Sequence, residues 1–388
     1  MITTSRKTLA LSATVLLALT AAGCSKNSSG STTAGPTGVT VAPSCMSTPS
    51  STPNPAANPV GFNQDNLGEL DNSLTCALAG QDLSKVNIAM VVNIAADYWN
   101  AGETGFKAGC ASLKISGNDC TFFAPPTGTV TQQTSELDTL RSQGITGYSI
   151  SAIDPASAKG IIGTDVNNGI SVLAIDSPLP GTAAASLYLG TVNYDAGFAA
   201  GTEMKQALPT GGKVAVLVGS LVAANATQRI AGFEAAVKGT GISVVQTVND
   251  NGSASTAQTD AETILANNPD ITGLYGVYSY DGPALAQAVT SANKSSTIKI
   301  VCDDSDTQTL AGVSSGVISG TIVQMPYEQG YTGALILAAE KVLGKSATMS
   351  IVKPYLDSDG STLSSGVGVI TKADLSQYQA LETKLGIS

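Results

Sequence analysis

Along this 388-residue chain, apolar runs end one after another in side chains that can hydrogen-bond. The run VNIAMVV stops at Asn93 and leads to Asp97, Tyr98 and Trp99, the last being the only tryptophan. SVLAI is followed by Asp176-Ser177, and ISVVQTV at 242–248 by Asn249-Asp250-Asn251. GLYGV leads to Tyr278, Tyr280 and Asp281, IKIVC to Asp303-Asp304, and GTIV to Gln324. Arg229, one of three arginines, lies in a segment that is otherwise small and apolar. Asp, Asn, Gln and Arg offer planar, often bidentate hydrogen bonds. Flat aromatic rings cover apolar C–H faces. A neutral sugar needs both, because hydroxyls ring its equator and C–H groups line its faces. Neither GxGxxG nor GxxxxGK[ST] follows any of these runs, so a nucleotide lacks its usual phosphate cradle.

Such residues converge only if the apolar runs are parallel strands with a common edge. The pattern predicts this. Continuous apolar runs are expected for strands buried on both faces. Strands are predicted at 86–92, 121–124, 147–150, 171–175 and 187–190, with helices at 102–113, 130–142 and 155–167 between them. A second series has strands at 213–218, 242–248, 273–277, 298–302 and 319–324. Its helices are predicted at 195–207, 226–238, 254–266, 283–293 and 307–315, with a long one at 327–343. Alternation of this kind predicts α/β architecture, here two doubly wound parallel-sheet lobes. Ligands of open parallel sheets bind beyond the carboxyl ends of the strands, where the polar residues stand.

The first residues supply an address. Arg6-Lys7, an apolar run from Leu9 to Leu19 and Ala21-Ala22-Gly23-Cys24 read as a secretory signal peptide over 1–23. The apolar run is too short to span a bilayer as a helix. Cysteine directly after small residues resembles a bacterial lipobox, which makes Cys24 the expected lipidation site. Residues 25–60 are rich in Ser, Thr, Pro, Asn and Gly and are expected to be a flexible tether; residues 61–84 are transitional, with one short helix expected near 66–78. The net charge of −10 and the lack of a basic run argue against nucleic acid. With no histidine, His-based triads are excluded and zinc or copper sites lose their commonest ligand. No metal and no cofactor are expected. The cysteines fit an oxidising compartment: Cys110 and Cys120 could bridge a short segment, Cys45 and Cys76 could close the N-terminal extension, and Cys302 is then a buried free thiol.

Taken together, the segments VNIAMVVNIAADYWNAGETGFKAG, VLAIDSP, YLGTVNYDAG, NATQRIAGFEAAV, VYSYDGPALAQAV, IVCDDSDTQTLAGV and GTIVQMPYEQGYTGA resemble the sugar-binding proteins of the ribose/galactose type that feed ABC transporters. The resemblance runs from Lys85 to Tyr355 and implies the type I periplasmic binding protein fold. It implies ligand contacts from Asp97, Tyr98 and Trp99, from the strand-end Asp176, and from Arg229 before Gly232-Phe233. Asp281 stands where the family usually has Asn, Asp304 matches its Phe-Asp position, and Gln324 precedes a crossover. Asn193 and Asn251 are further candidates. Asp303 is expected to cap the following helix or to pair with a lysine. Ser177 replaces the arginine that follows the aspartate in the ribose branch, and the Asn-Pro before the aromatics is absent, so plain ribose is not the expected ligand, and a different pentose, a hexose, a sugar alcohol or a cationic ligand stays open.

The resemblance divides the chain into a leader (1–23), a tether and extension (24–84), lobe 1 (85–191 with 325–353) and lobe 2 (192–324 with 354–388). Three crossings are expected at the hinge, near 188–192, 324–327 and 352–356. The implied activity is binding, not catalysis, by a monomer held to the membrane through its lipid and delivering a sugar to an ABC permease. The alternative is a binding protein that presents its ligand to a chemoreceptor or sensor kinase. An enzyme using Asp176 and Asp304 as an acid/base pair is the remaining class.

Overall fold

The computed structural model describes residues 41–49 and 64–387. The leader, Cys24 and most of the tether lie outside the described residues. The chain runs α1 (Gln64–Leu78), β1 (Ile88–Val91), α2 (Asp97–Ser112), β2 (Cys120–Phe123), α3 (Val130–Ser142), β3 (Gly147–Ile150), α4 (Pro155–Asn167), β4 (Ser171–Ile175) and β5 (Tyr188–Gly190). It continues through α5 (Asn193–Ala207), β6 (Gly212–Val218), α6 (Ala224–Val237), β7 (Ile242–Asn249), α7 (Ala254–Asn267), β8 (Gly273–Gly276), α8 (Asp281–Ser291), β9 (Lys299–Asp303), α9 (Thr307–Ser315) and β10 (Gly320–Val323). The last elements are α10 (Pro326–Leu343), α11 (Lys345–Val352), β11 (Thr362–Ser364), β12 (Gly368–Thr371) and α12 (Leu375–Leu385).

Two six-stranded sheets form, in the orders β11-β5-β4-β3-β1-β2 and β12-β10-β9-β8-β6-β7. Pairing is parallel except between β10 and β12. The two orders are the same, so the chain repeats one α/β lobe. Strands β1, β3, β8 and β10 are buried at every position, which explains their unbroken apolar sequence. Each sheet carries a core on both faces. In lobe 1, Leu137, Leu140 and Ile162 fill one face, and Phe106, Leu335 and Leu337 the other. Lobe 2 repeats this with Ala257, Ile264 and Leu285 on one face and Phe233, Val237 and Met204 on the other. Helix pair α2/α10 in lobe 1 and pair α6/α5 in lobe 2 touch backbone to backbone. A Cβ on Gly105 would meet the Tyr327 carbonyl, and one on Gly232 would meet the Tyr194 carbonyl. Glycine is required at both for close approach.

Two boundaries differ from the sequence reading. The third crossing is not at 352–356. β11 pairs in parallel with β5, register Thr362↔Tyr188, and Tyr355 packs into the lobe 1 core. Residues 354–364 therefore belong to lobe 1, and the crossing falls at 365–367, before β12 joins the second sheet. The other two crossings are as short: Thr191-Val192 between β5 and α5, and Gln324-Met325 between β10 and α10. The extension is also less free than expected. Leu67, Leu70, Leu74 and Leu78 make an i, i+3, i+7, i+11 stripe on α1 that is buried in the lobe 1 core. Cys45 and Cys76 stand at disulfide distance, with Cα atoms 5.4 Å apart, and so do Cys110 and Cys120, at 6.5 Å. Ser47 Oγ lies 2.7 Å from the Tyr355 hydroxyl, tying the extension to lobe 1 a second time.

Candidate functional site

The strand ends of the two sheets meet between the lobes. In lobe 1, Asp176 follows β4 with φ of +61°, a left-handed conformation that Asp tolerates better than most residues. Its N–H reaches the Leu189 carbonyl at 3.4 Å, and the turn delivers the carboxylate to the cleft. Oδ2 accepts from Ser151 Oγ at 2.9 Å and from Ser177 Oγ at 3.3 Å, and Oδ1 from the Tyr98 hydroxyl at 3.4 Å. Ser151 ends the neighbouring strand, whose exit is fixed by Gln133 Nε2 donating to the Ser151 and Val92 carbonyls, each at 2.9 Å. Gln329 Nε2, from α10, donates to the Tyr98 hydroxyl at 3.3 Å.

Lobe 2 builds the matching wall. Asp304 follows β9 with φ of +69° and bonds the Ile322 carbonyl through its N–H at 2.7 Å. Gln324 Nε2 donates to Asp304 Oδ1 at 2.8 Å. Arg229, from α6, is 2% exposed. Its Nε donates to Asn193 Oδ1 at 3.0 Å, and its Nη1 to Asp303 Oδ2 at 3.0 Å and the Val277 carbonyl at 3.3 Å. The Tyr275 hydroxyl donates to Asp303 at 3.1 Å, and its ring stacks on Phe233 at 4.6 Å. The guanidinium is thus fixed by three acceptors of its own lobe.

Burial governs the electrostatics. It raises the carboxyls of Asp176 and Asp304 above the ordinary carboxylate range, against the opposing pull of Arg229. Asp303 is raised by burial too, and Arg229 and Tyr275 hold it down. Burial works against the Arg229 charge, but Asp303 and Asp304 keep its pKa above the ordinary value. The Tyr98 phenol is driven up by burial and then by Asp176 and Asp304. It therefore remains a neutral donor, and it feels carboxylates of both lobes at once. A cavity of about 860 Å³ opens here, walled by Asp97 and Tyr98 of lobe 1 and by Asp304, Asp306 and Gln324 of lobe 2. A second opening, of about 960 Å³, lies beside Asn193, Thr191 and Tyr188.

Of the sequence candidates, Tyr98, Asp176, Arg229, Asp304 and Gln324 come together, and Asp97 sits exposed at the cavity mouth. Asn193 holds Arg229. Trp99 lies elsewhere: it is 3% exposed in the lobe 1 core, donates to Asn93 Oδ1 at 2.8 Å and packs edge-on against Tyr98 at 4.8 Å. It supports the tyrosine from behind. Asp281 is fully buried and folds back to accept the Val277 and Tyr278 N–H groups at 3.2 and 2.9 Å. Asn251 is an exposed turn residue with φ of +58° bonded to Asn249. Asp303 pairs with Arg229, not with a lysine. Sequence reasoning missed Gln329, which stands on a helix and not at a strand end. Its signal was the repeat of NYDAGF in PYEQGY at the two crossovers.

Residues 88–346 match the family model described as periplasmic binding protein domain. The chain is 23% identical over 225 residues to the xylose/arabinose-binding protein XylF of Sulfolobus acidocaldarius, covering 54% of this chain and 56% of that relative. It thus spans little more than half the length of that protein. Among solved structures, it is similar to an ABC transporter solute-binding protein of Burkholderia graminis C4D1M in complex with D-arabinose. That match has TM-score 0.67 and 26% identity, covering 77% of this chain and 99% of that one. It is also similar to AraP, an arabinose binding protein from Geobacillus stearothermophilus, with TM-score 0.64, 28% identity and coverage of 76% and 99%. Paired lobes of one topology, a polar cleft between them and a family match over most of the folded chain lead to one assignment: this chain belongs to the periplasmic binding protein family.

Proposed function

We propose that this protein is an extracytoplasmic solute-binding lipoprotein that captures a monosaccharide or related polyol between its lobes and delivers it to an ABC permease. One observation carries the reading. Tyr98 of lobe 1 and Asp304 and Gln324 of lobe 2 line one cavity, and the buried Asp176 and Arg229 adjoin them, each of the five bonded to protein partners. Such fixed donors and acceptors suit sugar hydroxyls, and the neutral phenol of Tyr98 adds a ring face. The arabinose-binding structures noted above support the ligand class.

Neither half-site holds the sugar by itself. A ligand touching both lobes favours the closed state by its differential affinity for that state. The three short crossings at 191–192, 324–325 and 365–367 are the hinge in this reading. Closure would present both lobes to a membrane partner, and Cys24 with its tether would keep the protein within reach of it. Stable attachment takes more than a single acyl chain, so the full lipoprotein modification is expected.

Thermal-shift screening against pentoses, hexoses and polyols tests the assignment, because a ligand specific to the folded state raises the melting temperature. A saturable shift with one or a few monosaccharides is expected. A flat response across the panel would remove the carbohydrate assignment while leaving the family intact. Mass spectrometry of the membrane fraction tests the anchor: the mature protein should begin at a diacylated Cys24, and Cys24→Ser should release it.

A further inference from the structure

The family model begins at residue 88, and the helix that precedes it, α1, has no equivalent in lobe 2 among the described residues. The internal repeat shows what α1 does to lobe 1. PYEQGY at the start of α10 corresponds to NYDAGF at the start of α5. On α5, Tyr194, Asp195 and Phe198 are exposed. On α10, the matching Glu328 is 9% exposed, and the matching Tyr331 packs against the core that the leucines of α1 complete. Lobe 2 thus folds with this face open. Lobe 1 covers it although burying an acid is unfavourable, and a second acid, Asp71 of α1, is buried beside the first. The covered face adjoins the sugar site. Glu328 is followed by Gln329, which donates to the Tyr98 hydroxyl. Helix α10 starts directly after the crossing at 324–325 and meets α2, which carries Tyr98, backbone to backbone: a Cβ on Gly330 would meet the Gly102 carbonyl, as one on Gly105 would meet that of Tyr327. Packing this close leaves α10 and α2 no room to shift independently. The extension also holds the approach to the third crossing, because Ser47 bonds Tyr355.

Resting on the sugar-binding reading, we infer that the N-terminal extension is a conformational strap: α1 docked on α10 holds Gln329 and Tyr98 in sugar-binding geometry, so that docking of α1 and capture of the sugar strengthen each other. The two states are α1 docked and α1 released. If docking raises sugar affinity by some factor, bound sugar favours docking by the same factor.

The test pairs calorimetry with hydrogen exchange on the full chain, using D-arabinose or whichever monosaccharide of the thermal-shift panel binds best. Leu70→Asp puts a charge into the docked stripe and releases α1. Ile162→Val, a control, trims the core on the opposite face of the lobe 1 sheet. Leu70→Asp should bind the sugar about fivefold or more weaker, the lower end of ordinary coupling, while Ile162→Val binds as wild type does. In wild type, saturating sugar should slow amide exchange over 64–78 by a similar factor. Should Leu70→Asp fail to fold, the exchange measurement on wild type decides alone. Full affinity in folded Leu70→Asp, or α1 exchange indifferent to bound sugar, overturns the strap and leaves the sugar reading standing. An equal loss of affinity in Ile162→Val overturns it too, because general loosening of lobe 1 would then be the cause. A folded wild type that binds none of the sugars removes the sugar reading, and the inference falls with it.

Discussion

Asp176 and Asp304 occupy the same place in the two lobes. Each follows the third strand of its sheet, β4 or β9, each adopts a left-handed backbone, and each bonds through its N–H to the strand next in order. The repeat of the fold therefore sets two carboxylates facing each other across the cleft. Non-glycine residues in this conformation concentrate at functional sites, where the surrounding structure enforces them.

The backbone and the carboxylate at Asp304 can be separated by mutation. Asp304→Asn keeps a residue that accepts the left-handed conformation, and its amide oxygen can still accept from Gln324. Stability should change little while sugar affinity falls about tenfold. Asp304→Val, β-branched and unsuited to this φ, should lose about 1–3 kcal/mol of stability as well. Chemical denaturation beside calorimetry checks both.

Arg229→Ala removes the clamp and leaves Asp303 and Asn193 buried without their partner. Affinity should fall about tenfold or more, and unfolding stability by about 3–5 kcal/mol, as when one member of a buried pair is deleted. Urea titration and calorimetry measure the two losses. Unchanged affinity would take Arg229 out of the site.

The docked helix α1 should respond to pH. Asp71 of α1 is raised well above the ordinary range by burial and then by Glu328 of α10, and burial pushes Glu328 up to about 7. A hydrogen bond with Thr332 opposes the rise at Asp71, and the pair in turn raises the nearby Tyr327 phenol. Both pKa values are raised on folding. Their contribution is thus fully present below the ordinary carboxylate range and is lost as pH rises through about 7. Melting curves from pH 5 to 8 should show wild type losing more stability with rising pH than Glu328→Gln does, by up to about 3 kcal/mol.

Cys45 and Cys76 close a segment with a sequence separation of 31. Replacing both by serine should cost about 3–4 kcal/mol if the bridge forms, and should free α1 for proteolysis before the lobes unfold. Melting under reducing and oxidising conditions, with timed digestion, reads both effects.

The lobes were legible because strands such as 88–91 and 320–323 are buried on both faces and leave unbroken apolar sequence. Their ends then marked Asp176, Asp304 and Gln324. What the sequence did not carry is direction. Trp99 follows Tyr98 by one residue, and on a helix that is enough to turn it from cleft to core. Asp281 has the right residue type at a strand end, yet its carboxylate caps the Val277 and Tyr278 amides. Strand β11, with only three residues, leaves no apolar run, so the third crossing was misplaced. Gln329 was hidden because a helix reaches the cleft after the chain has crossed lobes.

The central claim is that one sugar is held jointly by both lobes. Calorimetric titration of the best-binding monosaccharide into wild type, Asp176→Asn and Asp304→Asn tests it most directly. The account predicts a 1:1 complex in wild type and affinity lost by about tenfold or more in each variant, one from each lobe. Full affinity in either variant would contradict a site shared between the lobes.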